Sequence, residues 1–274
     1  MFGKVIYMEM KRAFHPLKTI LVLAAVSVLM FSSCWHEMGP YFTGIPQEEW
    51  KFVGAVDFLD FFMKMDSFRV VIVLLLCSLH ATSFCKDDKS RYLRLIMSRV
   101  DFFTYTMARF LSNILVIVLV STAACYLVMA AIMALGFPIV SENAEGGLLN
   151  ASFYQTVIKQ YPQLYIGMMG LQLGMVAAMF SSIGLLFSAW QPDSFICIGV
   201  SGLVYYVLSS AGILRGTPLD ILNLVGMQST LPSGSEAAEG LMFVWGMLYP
   251  LIVITLCCIQ FLRRMKWRVE NGLI

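Results

Sequence analysis

Six runs of apolar residues punctuate this 274-residue chain, at about Thr19–Trp35, Phe68–Cys85, Phe110–Gly136, Leu164–Trp190, Ser194–Ile213 and Leu241–Leu262. A helix needs about 20 mostly apolar residues to cross the hydrocarbon core of a bilayer, with roughly 17 as a lower limit. The first two runs are short and borrow flanking residues; the third and fourth are long enough to tilt. Charged residues make up 13% of the chain, about half the usual share in a soluble domain, and the mean hydropathy is +0.77. These values exclude a soluble globular enzyme, a disordered chain and a nucleic-acid-binding domain. The net charge of +2 names no polyanionic partner. The expected fold is therefore all-α: one polytopic membrane domain, residues 1–274, with six transmembrane helices. Ser32–Ser33–Cys34–Trp35–His36 is a poor cleavage site, so the first run reads as a retained span.

Six crossings put both termini on one side, and the basic residues say which. Fourteen of the nineteen Lys and Arg fall in the N-terminal segment, in the segment from Lys86 to Arg109 and after Leu262. Six of the seventeen acidic residues accompany them, so this side carries +8 and the other, with five basic and eleven acidic residues, carries −6. The positive-inside rule then predicts cytoplasmic termini. The seven cysteines lie mostly within runs and read as small packing residues, not a disulfide framework.

Residues 1–18 read as an interfacial helix. Phe2, Ile6, Met10, Phe14 and Leu17 fall near one face; Lys4, Lys11, His15 and Lys18 fall near another. Pro16 predicts an elbow where the chain turns into the bilayer, a frayed extension of the first span being the alternative. Between the second and third runs, Tyr92, Leu93, Ile96, Met97 and Val100 follow helical spacing, with Arg91, Arg94, Ser98 and Asp101 opposite. A short amphipathic helix there suits docking on a soluble partner or resting on lipid headgroups. Gln191–Pro192–Asp193 is a tight turn. On the opposite side, His36–Ser67 is acidic and aromatic, and Leu219–Val225 is too short to span, so it reads as a re-entrant or interfacial piece, either a gate or an anchor.

Motifs for chemistry are scarce. The sequence has no HExxH, GxSxG, CxxC or GxxxxGK[ST] pattern, so no P-loop of its own. No charged residue falls in the central part of a run, which argues against an ion-driven carrier. His80, toward the end of the second run, reads as a packing residue. Gly170 and Gly174 form a small-xxx-small pair that permits close helix approach, within the chain or between copies; Gln172 beside them reads as polar glue or as a point on a substrate path.

Taken in order, several segments carry a resemblance. Met10–Lys11–Arg12–Ala13–Phe14 precedes the first run, and an acidic-then-basic segment follows the second. Met97–Ser98–Arg99–Val100, Tyr105 and Arg109 lead into a long third run, and Gly184–Leu185–Leu186–Phe187–Ser188 closes the fourth. This layout resembles the permease subunit of ATP-binding-cassette exporters of the type-two permease family, over nearly the whole chain. The His36–Ser67 loop departs from it, being longer than in many members. The resemblance implies that residues 1–18 form an elbow helix and that the helix around Tyr92–Val100 is a coupling helix. Arg91, Tyr92, Arg94, Leu95, Met97, Ser98, Arg99 and Asp101 would meet an ATP-binding cassette subunit, and Gln191, Pro192 and Asp193 would make a second contact. It further implies a plasma-membrane protein that is not itself an enzyme and holds no cofactor, with ATP and Mg on the partner, and a second permease protomer, identical or related. The nearly uncharged bundle suggests an amphipathic peptide, drug or lipid-like substrate. Two readings from other classes stay open: an intramembrane lipid-modifying enzyme using Glu49, Asp57 or Asp60, and a non-transporting sensor or immunity component.

Overall fold

The computed structural model describes residues 2–65, 68–90, 92–97, 99–141, 154–210, 220–225 and 236–271. Among them every regular element is helical. In chain order these are α1 (Phe2–Ala13), α2 (Pro16–Thr43), a 3-10 turn (Gln47–Phe52), α3 (Ala55–Met65), α4 (Arg69–Ser78), α5 (Ser83–Lys89) and α6 (Tyr92–Met97). They continue with α7 (Phe102–Ala134), α8 (Gln155–Gln160), α9 (Pro162–Ser188), α10 (Ser194–Ser210), α11 (Ile221–Val225) and α12 (Glu236–Glu270). Five stretches are long and apolar enough to cross a membrane: α2, α4 with α5, α7, α9 and most of α12. The expected fifth run forms α10, a shorter apolar helix of 17 residues.

Helix α9 is the axis of the bundle: 78% of its most apolar window is buried inside the protein, against 22% for α2. The difference follows from side-chain size. Gly170 and Gly174 of α9 lie so close to α7 that a methyl group would meet Thr122 Cα at 2.6 Å and Val118 Cα at 2.7 Å. Ser121 uses the approach to donate a hydrogen bond to the Gly170 carbonyl at 2.8 Å. Large apolar side chains face outward instead on α2 (Ile20, Leu21, Val28) and on α12 (Leu248, Ile252, Leu256), as lipid contact requires. Within the α7–α9 seam, Ser181 donates to Asn113 Oδ1 at 2.7 Å and Asn113 donates to Ser182 Oγ at 3.3 Å. Such interhelical bonds contribute about 0.6–2 kcal/mol in a bilayer. Asn113→Leu is expected to lower stability by that order in a detergent unfolding titration, whereas a gain would mean the polar seam opposes packing.

Several boundaries differ from the sequence expectation; α2, for one, runs to Thr43, eight residues beyond Trp35. Helix α7 starts at Phe102, not Phe110, because the Asp101 carboxylate caps it by accepting from Phe103 N at 3.2 Å. Its 33 residues make it about 50 Å long at 1.5 Å per residue, well beyond the hydrocarbon thickness. The second run is not one helix; it breaks at residues 79–82. The carbonyls of Ser78 and Leu79 accept instead from the Lys18 ammonium, at 2.5 and 2.9 Å. Likewise α12 runs to Glu270, eight residues beyond Leu262.

The basic loops collect at one end of the bundle. There Arg264 lies over the Trp190 ring at 5.8 Å and Arg268 pairs with Asp88 at 3.0 Å. At the opposite end residues 44–65, which follow α2, form a cap. Ala55 and Val56 donate to the Pro138 and Ile139 carbonyls at 2.8 and 3.2 Å, and Trp50 stacks on Phe137 with centroids 4.8 Å apart. Helix α11 packs beneath this cap against α9 and α3.

Candidate functional site

The polar feature that stands out is a charge cluster at the basic end, assembled from three helices. Helix α1 turns Val5, Glu9 and Ala13 inward, each one turn after the last, so a carboxylate sits in the middle of its packed face. Asp87 comes from α5, and Arg109 comes from the second turn of α7. Glu9, Asp87 and Arg109 are all buried.

Opposite charges alternate within the cluster. Arg109 bridges Asp87, in direct contact, and Glu9 at 3.3 Å. Arg12 bridges the same two carboxylates, meeting Glu9 at 3.1 Å and Asp87 in direct contact. Tyr105 donates to Asp87 Oδ2 at 3.1 Å, and its ring lies 4.7 Å from the Arg109 guanidinium. Two cations and two anions therefore neutralise each other, which is what lets Arg109 be buried in a helix long and apolar enough to cross a membrane. Half-burial opposes the charge on Arg12, and Asp87 and Glu9 beside it more than offset that, so its pKa stands above the ordinary arginine value. Both carboxylates accept from the two guanidinium groups, so the cluster ties α1, α5 and α7 together.

The cluster reaches α6 as well. The Arg12 guanidinium lies over the Tyr92 ring at 4.7 Å, while Leu93 and Ile96 are buried in the protein core. The apolar face of this short helix thus packs on its own bundle. Of the residues expected to meet a partner there, Arg91 and Ser98 lie outside the described residues, as do the side chains of Arg94, Leu95 and Met97. Arg99 and Asp101 are exposed, Asp101 serving as the cap of α7. Gln191, Pro192 and Asp193 form the turn between α9 and α10, where Asp193 accepts from Phe195 N at 2.8 Å. Gly170 and Gly174 are spent on α7, and buried Gln172 packs against Gly246 of α12.

At the opposite end, Asp57 accepts from Gly54 N at 2.7 Å and Asp60 accepts from the Tyr165 hydroxyl at 2.8 Å, while Glu49 is exposed. None of the seven cysteines forms a disulfide and all are buried, with Cys85 Sγ 3.3 Å from Cys197 Sγ. No group of three or more His, Cys, Asp or Glu is placed to hold a metal ion among the described residues.

Reading along the sequence missed the cluster because it placed Glu9 on an interfacial helix and Asp87 and Arg109 outside the spans, with nothing to bring the three together. One signal was present. Glu9 occupies the middle of the Val5–Ala13 stripe, where an unpaired carboxylate would be costly. No protein-family profile matches this chain, and no curated protein matches it either.

Proposed function

We propose that the chain is the membrane-embedded permease subunit of an exporter driven by a separate ATP-binding cassette subunit. In this reading α10 is the sixth crossing, both termini are cytoplasmic, α1 is the elbow helix and α6 is the coupling helix. The single observation that carries the proposal is Arg12. It touches Tyr92 of α6 while binding Asp87 of α5 and Glu9 of its own helix, and Asp87 passes the link to Arg109 of α7. A push on α6 by a partner is then shared by three helices at once, the kind of rigid junction that a rocking mechanism needs.

The substrate class follows from the bundle. Its buried polar groups away from the charged end include Asn113, Gln172, Ser181 and Ser182, all neutral. A bundle interior with so little charge between its ends supports an amphipathic peptide, drug or lipid-like compound over an ion.

Co-expression with candidate P-loop ATPase subunits tests the reading. Wild type is expected to co-purify with one of them, and Arg94→Glu, in the proposed coupling helix, to lower recovery of the ATPase at least tenfold. Unchanged assembly together with unchanged substrate-stimulated ATP hydrolysis would remove the coupling role from α6.

A further inference from the structure

A cavity of about 780 Å³ opens beside the charge cluster, between α1, the start of α2 and the break that separates α4 from α5. That volume lies within the range of small-molecule sites. Its charge is one-sided. Lys11, Arg12, Lys18 and Lys86 line it, with Glu9 as the one carboxylate, and Glu9 is already bound by two arginines.

One further feature fixes a cation there. Lys18 is held in place by the Ser78 and Leu79 carbonyls, at 2.5 and 2.9 Å, which uses two of its three N–H donors. His80 lines the cavity from the helix break and is 2% exposed; its Nε2 and the Ser83 hydroxyl are closed off from the open space by their neighbours. With Glu9 taken by its arginines, the third N–H of Lys18 and the Lys11 and Lys86 ammonium groups give the cavity a surplus of donors, which suits an acceptor-rich anion.

We propose that this cavity binds a phosphate group. Lys18 is its fixed contact, and Lys11 and Lys86 supply the surrounding positive charge. Met8 at the cavity wall and Leu17 next to it are exposed apolar residues, which favours a phosphate carried on a lipid. The inference rests on the bundle lying in a bilayer and is independent of the transport reading.

The test uses the purified full-length chain in a neutral detergent, with thermal unfolding as readout. Phosphatidylglycerol, phosphatidylcholine and inorganic phosphate are added separately. Phosphatidylglycerol is expected to raise the midpoint by several degrees more than phosphatidylcholine, and Lys11→Gln/Lys86→Gln to remove at least half of that difference. Both lysines are exposed and outside the ion cluster, so this variant keeps the fold. Arg263→Gln/Lys266→Gln, an equal loss of charge on exposed residues of α12, is expected to leave the difference intact. A comparable shift with millimolar inorganic phosphate, abolished by the same Lys11/Lys86 variant, would also support the site and identify its occupant as a free anion. Equal losses in the two double variants would reduce the effect to general attraction and overturn the proposal, as would no selective shift from either ligand.

Discussion

Arg109→Leu is expected to destabilise the protein by about 3–5 kcal/mol, the cost of stranding buried charge when one partner of a buried pair is removed. The geometry puts the variant near the top of that range, because Arg109 is wholly buried and serves both Glu9 and Asp87. Arg12 alone cannot neutralise two carboxylates. Arg12→Leu is expected to cost clearly less, since 40% of the Arg12 side chain is exposed and water already shares in its solvation. The informative comparison is Arg109→Leu/Asp87→Leu. That pair of changes removes one charge of each sign and leaves Glu9 and Arg12 joined at 3.1 Å. An apolar pair in place of a buried ion pair is often neutral or stabilising, so the double variant should recover more than half of the loss in a reversible unfolding titration. A double variant as unstable as Arg109→Leu would show that the cluster is not held together by charge balance.

The same cluster marks where the sequence was legible and where it was not. The α2, α7, α9 and α12 runs were visible because a lipid-spanning helix is a local property, written in consecutive residues. Their polar junction is not local. Arg12 and Asp87 are 75 positions apart, Glu9 and Arg109 are 100 apart, and only folding makes each an acceptable neighbour for the other. Charge read one residue at a time therefore pushed the start of α7 past Arg109. The break at residues 79–82 escaped for the same reason, since nothing in that apolar stretch announces that Lys18 will satisfy its carbonyls. The amphipathic pattern of Tyr92–Val100 did foretell a helix at α6, but periodicity finds a face and not what covers it. Leu93 and Ile96 turn out to pack on the bundle itself. The Gly170-xxx-Gly174 pair was equally visible, and equally silent on whether its partner belongs to the same chain.

Gly174→Val and Gly170→Val are the changes that decide that last point. At either glycine the first added carbon meets backbone of α7, Val118 Cα at 2.7 Å or Thr122 Cα at 2.6 Å, and backbone cannot swing aside as a side chain can. The helices must separate, which breaks the Ser121 bond to the Gly170 carbonyl and opens the seam along the most buried helix of the bundle. Overpacking a tight core costs about 1–3 kcal/mol and occasionally more; the upper end is expected here because the obstruction is main chain and valine is branched at that carbon. Gly199→Ala in α10 is the matched control. A methyl group there meets nothing within 4 Å, and replacing a helical glycine by alanine typically stabilises by about 0.5–1 kcal/mol. The readouts are the unfolding midpoint and the oligomeric mass of the same detergent-solubilised samples. Seam glycines used within the chain lower the midpoint in a monomer and in any assembly alike. If the Val variants instead kept the wild-type midpoint and lost a dimer, the pair would belong to an interface between copies, and the close approach of α7 and α9 would not be what stabilises the bundle.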